Sequence, residues 1–473
     1  SSCIQINYEI TNLCRGCVVG WAGNTRNFYV DSFSGGKVAN GSMEFPFKSL
    51  DALEDVKFLP GDCIHLAGNQ ILNGNIHLKG VKGTPDNPLI ITSYGAGISQ
   101  IYSAHTSAVV IDDCENIHVK NVVVKGSGRK NGNTGTGIEV INSRFIEIEE
   151  VEAYGFQVNG IGVNGGGDVR ITHSYVHDNG SNGIEVTGEW NTKSVRNIYI
   201  GYCVAENNAG NPTVSDNHSG SGILVGHATC AMIEYCEAMN NGWDMPRSGN
   251  GPVGIWGYES DRLTIQYCFS HNNKTSPTGL DGGGFDFDGG ITNSLMQYNL
   301  AMNNEGAGYG LFQFAGATEW NNNIIRYNVS VNDGIKNSHA GIYVWCDPYN
   351  KELPLCNTKV HDNLIISNQG HSISFNTGFS SGLEFSDNVF VLTNEGIKHL
   401  QGDETKNMAI YKGNCYWSEA AERQRISQPR VSEDTKARYE KTEYILPEKI
   451  DILRLKEILS GMLPERYDVT KTE

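Results

Sequence analysis

The chain has 473 residues, with 36 Lys and Arg against 53 Asp and Glu, a net charge of −17. That balance disfavours DNA, RNA and anionic lipid as partners and, unless a bound cation reverses it locally, a polyanionic substrate. Apolar residues come in runs of two to five, far short of the roughly 18 that span a membrane, so no transmembrane segment is expected, while 56 Gly against 13 Pro suit many short strands joined by turns.

The first residues, Ser1-Ser2-Cys3-Ile4, lack the basic start and apolar core of a signal peptide and read as the start of a mature form. Ser-Ser-Cys is also similar to the tail of a bacterial lipoprotein processing site, with an ordinary terminal cysteine the equal alternative. Twelve cysteines are many for the cytosol. The expected location is secreted, periplasmic or bacterial cell-surface. Cys14 and Cys17 are candidates to pair with each other or with Cys3, and spacing alone does not decide connectivity. Next comes a strand at Phe28-Tyr29-Val30-Asp31. Segment 46–58 has helix-like apolar spacing (Phe47, Leu50, Leu53, Val56), and residues 1–60 are expected to form a strand-and-helix cap over the first coil.

From about residue 117 one unit recurs: a short alternating strand, a polar pair, Asn-Asn or Asp-Asn, then Gly and a second strand. The spacing is about 23 or 24 residues, swelling where loops are inserted. Such a period is one coil of a parallel β-helix, in which stacking at about 4.8 Å per coil closes a core that no single coil can bury. A helical solenoid would need a 3.6-residue period, and these segments alternate with period two. The fold class is therefore all-β, a right-handed parallel β-helix over residues 61–417 forming one domain. Residues 418–473 are expected to be a charged helical or extended tail over the open end.

Two ladders fall out of the alignment. Ser174, Cys203, Cys236, Cys268, Asn299, Asn328, Asn363 and Asn388 share one position. Asn179, Asn208, Asn241, Asn273, Asn304, Asp333 and Asn368 share another. Stacked, buried Asn amides would hydrogen-bond along the axis, which makes the sequons at Asn273 and Asn328 unfit for glycans. Cys346 and Cys356 bracket an insert, where a disulfide is expected in an oxidising compartment.

The second strand of each coil sorts its side chains by face. One outward row reads Glu139, Gly162, Glu185, Leu224, Trp256, Asp286, Gly310, Tyr343, Ser374. The next reads Ile141, Asn164, Thr187, Gly226, Tyr258, Asp288, Phe312, Trp345, Asn376. Phe285 and Phe287 point inward, so Asp286 and Asp288 point out together, with Cα atoms about 6.6 Å apart. They are flanked by Trp256, Tyr258, Phe312, Tyr343 and Trp345, and inserts at about 209–221, 242–252, 274–283 and 346–356 border the same coils. A carboxylic acid and a carboxylate are what glycoside hydrolysis needs, and crowding raises the pKa of one of them. A solvated Asp pair is the plain alternative. A calcium site of Asp281, Asp286 and Asp288 is the third. The aromatics serve equally as sugar platforms or as rim packing. Loop candidates for an acid/base partner are Asp244, Glu259, Asp261, Glu305, His339, Asp216 and His218, and Trp243 and Arg247 are candidate sugar contacts.

The coil pattern over roughly 28–415, with Pro46-Phe47-Lys48-Ser49-Leu50 and Pro60-Gly61-Asp62 at its entry, resembles the pectate-lyase-like superfamily of right-handed β-helices. More narrowly, GGGFDFDGGITNSLMQYNLAMNNEGAGYGLFQFAG (282–316) is similar to bacterial β-helix glycoside hydrolases of plant cell-wall degradation, the group that includes family 141 with its α-L-fucosidase and xylanase activities. The resemblance implies an exported enzyme acting on pectic or hemicellulosic chains, with Asp286 and Asp288 in the cleft. Of the polygalacturonase signatures, Asn-Thr-Asp, Gly-His-Gly and Arg-Ile-Lys are absent, and Asp-Asp occurs only as Asp112-Asp113, far along the chain from the Asp286 strand. Family 9 pectate lyases share Asp-Gly-Phe-Asp-type strings, with calcium and a Lys base. No Lys or Arg falls on the central outward positions here, so that base would come from a loop (Arg247, Lys274, Lys336 or His339). The leading expectation is a glycoside hydrolase needing no cofactor on a polysaccharide or oligosaccharide. The alternatives are a calcium-dependent lyase and a non-catalytic carbohydrate-binding β-helix. Oligomeric state is not encoded in any of these features.

Overall fold

In the computed structural model the protein is an all-β, right-handed parallel β-solenoid of about twelve turns. The structure describes residues 25–418 except 35, 338, 378–379 and 403–408, together with 434 and 436. The expected pairing of Cys14 and Cys17, and nearly all of the expected helical tail, lie outside the described residues. Two compact units are formed, one by the chain to Val214 with Ile223–Ala231, the other by Ser215–Gly222 with the chain from Met232.

In the first unit the strand Asn27–Val30 pairs in parallel with Cys63–Ala67, which pairs with Leu89–Tyr94. The expected helix of segment 46–58 is a single 3-10 turn, Leu50–Leu53, with Leu50 and Leu53 buried. Phe47 and Val56, the outer members of the apolar spacing, are only half-buried, so two anchors seat one turn. The outward row has the expected register, Val110↔Glu139, Glu139↔Gly162 and Gly162↔Glu185. Ile138, Val140, Ile161, Val163, Ile184 and Val186 fill the interior between them.

In the second unit the strands Val253–Tyr258, Gly283–Asp288, Tyr309–Gln313, Ala340–Cys346 and His371–Thr377 stack in that order, all parallel. Strands of period two bury every other residue. Ile255, Phe285, Phe287, Tyr309, Leu311, Ile342 and Val344 take the core, with Phe285 stacked on Tyr309 at 5.3 Å.

The amide ladders form. Asn299 Nδ2 donates to Asn328 Oδ1 (3.1 Å), Asn328 to Asn363 (3.1 Å), Asn363 to Asn388 (2.9 Å) and Asn388 to Asn414 (2.9 Å). Asn414 Nδ2 then donates to Asp434 (2.8 Å). In the other ladder Asn241 donates to Asn273, Asn273 to Asn304 and Asn304 to Asp333. Asn368 departs from that ladder: it is exposed, and its amide donates to the Thr393 hydroxyl instead (3.0 Å). Asp333 has already ended the row with an acceptor.

The expected Cys346–Cys356 disulfide is not formed, and both are free thiols. Cys346 ends the strand Ala340–Cys346 and Cys356 lies at the start of the strand Leu355–His361, where its thiol donates to the Trp320 carbonyl at 2.9 Å. Cys230, in contrast, is disulfide-bonded. No helix among the described residues is long and apolar enough to cross a membrane.

Candidate active site

The strand Gly283–Asp288 sets the site. With Phe285 and Phe287 in the core, Asp286 and Asp288 face the opposite side. Asp286 lies between Trp256 and Gly310 in the stack, and Asp288 between Tyr258 and Phe312. Asp286 is 2% exposed, sunk beneath its neighbours rather than placed in the solenoid interior. Asp288 is half-buried. Gly310 makes the depth achievable. A Cβ there would lie 2.8 Å from the Phe312 ring and 2.9 Å from Asp286 Oδ1, so the glycine lets the ring fold back against the carboxyl group.

Each aspartate keeps one buried oxygen, Oδ1, with no hydrogen-bond partner. Burial first, then the Asp288 and Asp281 charges, push the Asp286 carboxyl well above the usual carboxylate range. Burial, Asp281 and Glu259 push Asp288 up to about 8. Asp281, also raised by burial, reaches about 6, held back by the Gly251 N–H (2.8 Å to Oδ2) and the Arg247 charge. Three carboxyl groups thus share a low-dielectric pocket and retain protons that isolated aspartates would lose.

Aromatic residues frame the pair. Trp256, 3% exposed, donates its indole N–H to Ser221 Oγ (3.0 Å). It lies 5.6 Å from the Tyr258 ring and meets the His218 ring edge-on at 5.0 Å. On the other side Phe312 packs edge-to-face on Tyr343 (5.3 Å) and Trp345 (6.4 Å), and His339 lies over Tyr343 at 4.7 Å. Both histidines have a buried, unpartnered Nδ1, and burial holds each down to about 4.

Inserted loops form one wall through mutual hydrogen bonds. The Leu280 N–H donates to the Gly249 carbonyl (2.9 Å), the Ser276 hydroxyl to the Arg247 carbonyl (3.1 Å) and the Asn337 amide to the Gly279 carbonyl (3.0 Å). Lys336 Nζ donates to the Ser276 carbonyl and pairs with Glu305 at 3.8 Å. Trp243 is exposed and Asp244 half-buried. The 346–356 insert is anchored separately by Gln313 Nε2 on the Leu353 carbonyl and by Asn350 Nδ2 on the Phe314 carbonyl.

The loop acids are not equivalent to the strand pair. Glu259 is fully buried, and both its oxygens accept from Thr318, one from the N–H (2.9 Å) and one from the hydroxyl. It fits against Gly290, where a Cβ would collide with Oε2. Glu305 accepts the Thr275 N–H, and Asp261 accepts from Thr292 and Asn293. These carboxylates hold turns. The bond from Trp256 to Ser221 spans 35 residues and left no trace in the local pattern, whereas a lone glycine between Asp286 and Tyr343 in the outward row was a visible signal.

Among the described residues no group of three or more His, Cys, Asp or Glu side chains is gathered to hold a metal ion.

The right-handed parallel β-solenoid is a fold that the protein shares with solved structures. Similar in structure is the family 136 glycoside hydrolase lacto-N-biosidase of Eubacterium ramulus, at 18% identity over 87% of this chain and 68% of that one, with a TM-score of 0.55. A mannuronic-acid-specific family 6 polysaccharide lyase from human gut microbiota matches at 11% identity over 94% and 96%, TM-score 0.49. An alginate lyase of Paenibacillus matches at 13% over 80% and 98%, TM-score 0.41. No protein-family model matches the sequence, and no curated protein matches it either.

Proposed function

We propose that this protein is an exported carbohydrate-active enzyme that degrades a polysaccharide, and within that class a glycoside hydrolase working through Asp286 and Asp288. One observation carries the reading: two carboxyl groups on one strand each keep a buried oxygen without a partner, between aromatic rings. Unmet buried polar atoms cost stability, and sugar hydroxyls are the groups that satisfy them while the rings take the sugar faces. The shared fold with a lacto-N-biosidase supports a glycosidic substrate. A pectic or hemicellulosic chain is the substrate class we assign.

In this reading Asp286, the deeper group, protonates the glycosidic oxygen as its bond to the anomeric carbon breaks. Asp288, closer to solvent, takes the proton from the attacking water, or attacks the anomeric carbon itself before water releases the sugar. The strand geometry, with Cα atoms about 6.6 Å apart, admits either course. Chemistry requires one proton on the pair, so the active form accumulates between the two apparent pKa values of the coupled system.

The test is product analysis on hemicellulosic and pectic oligosaccharides, with and without EDTA. Asp286→Asn and Asp288→Asn should each lower sugar release by about 10²–10⁴-fold with folding unchanged. Asp286→Asn should retain more activity on aryl glycosides, whose leaving groups need no acid. Full activity in both variants sinks the reading. Unsaturated, ultraviolet-absorbing products lost on chelation would mean a calcium-assisted lyase, and binding without turnover would mean a carbohydrate-binding protein.

A further inference from the structure

Four buried atoms around one row of strands lack hydrogen-bond partners: Oδ1 of Asp286, Oδ1 of Asp288, Nδ1 of His218 and Nδ1 of His339. Buried polar atoms are met in the great majority of cases, so four unmet ones together mark a surface shaped for a ligand. The two imidazoles stand at opposite ends of the row. His218 lies against Trp256, one strand before Asp286, and His339 lies against Tyr343, two strands after it. At about 4.8 Å per strand, Trp256 and Tyr343 are about 14 Å apart, roughly the length of two or three sugar rings.

The charges of this row are one-sided. Asp281, Asp286 and Asp288 act on one another. Two nearby cations are already committed: Lys336 on the Ser276 carbonyl and Glu305, and Arg247 with its charge falling on Asp281 and His218. A uronate bound here would bring one more acidic group to a cluster in which burial and mutual repulsion already raise every carboxyl pKa, and any charge it kept would meet those groups at low dielectric.

We infer that the sugar units recognised at this row are uncharged, and that His218 and His339 are specificity-determining residues that hydrogen-bond their hydroxyls on either side of the carboxyl pair. The inference rests on the hydrolase reading above and names its substrate class. Held down to about 4 by burial, both imidazoles are neutral above pH 5, each with one donor and one acceptor nitrogen. A hydroxyl, itself donor and acceptor, matches that pair of roles. A carboxylate, acceptor only, is met by just one of the two tautomers, the one that carries its proton on Nδ1, whereas a hydroxyl is met by both.

The test uses the full chain carrying Asp288→Asn, so that ligands are bound without turnover, titrated calorimetrically with xylo- and galacto-oligosaccharides and with oligogalacturonides of equal length. Binding of a neutral series at least ten-fold tighter than the oligogalacturonides is expected. Adding His218→Ala or His339→Ala should weaken it about ten-fold each, one lost hydrogen bond. His218→Gln, which restores a donor and an acceptor, should recover part of the loss. Unchanged melting temperatures show that the variants fold. Tighter binding of oligogalacturonides, binding of neither series, or alanine variants with unaltered affinity overturns the inference. Neutral binding with no product from the unsubstituted protein would instead sink the hydrolase reading and leave this one standing.

Discussion

The end of the second amide ladder makes a quantitative test of the physics of this solenoid. Asp333 is 1% exposed. Its Oδ1 accepts from the Asn304 amide (2.7 Å) and its Oδ2 from the Ser330 hydroxyl (2.7 Å). Burial pushes its pKa up to about 7, against these hydrogen bonds, which pull it down. The unfolded chain gives up that proton near its ordinary value of 3.8. Between about pH 4 and 7 the folded form therefore binds the extra proton, and stability falls as pH rises through that window. Two coils earlier Asn273 occupies the same place, donating to Ser270 Oγ (3.0 Å) and accepting from Asn241. Asn at 333 can copy that arrangement and has no charge to bury. A shift of about three pKa units is worth about 4 kcal/mol. Asp333→Asn should thus match the parent below pH 4 and exceed it by up to about 4 kcal/mol above pH 7. The assay is thermal and urea unfolding of both proteins from pH 4 to 8.5. The difference between them is the readout, because a stacked-coil protein need not unfold in one step. A constant difference across that range, or a variant less stable at pH 8, would refute the reasoning.

Two predictions concern the site. Gly310→Ala places a methyl group 2.8–2.9 Å from the Phe312 ring and Asp286 Oδ1; overpacking of this kind costs about 1–3 kcal/mol, so the variant should fold with a lowered melting temperature and lose most of its sugar release, and full activity would count against the packed carboxyl. Asp281→Asn removes a negative charge that raises both Asp286 and Asp288; the alkaline limb of the pH–rate profile, where the pair loses its last useful proton, should move to lower pH, and an unmoved limb would show that Asp281 does not tune the pair.

The strand register around Asp286 and Asp288 was readable from the chain alone because a solenoid reuses one local solution. Each coil starts its second strand with Gly and an apolar residue, and strict alternation then assigns every side chain to a face. The Asn ladders were readable for the same reason, since one coil's amide meets the next coil's identical position. Failures came where a contact is made once, by a loop. Asn368 leaves its ladder because Asp333 has already ended it. Cys346 and Cys356 stay apart because their strands, not their spacing, decide where the thiols point. Sequence alone determined the stacking, the core and the shared side of the two aspartates, all consequences of local periodicity. Only the tertiary structure decided that Asp286 is sunk beneath its neighbours, that Glu259 is held by Thr318, and that His218 covers Trp256. Those depend on how long inserts close over the strands, a balance of many non-local contacts that no repeat encodes.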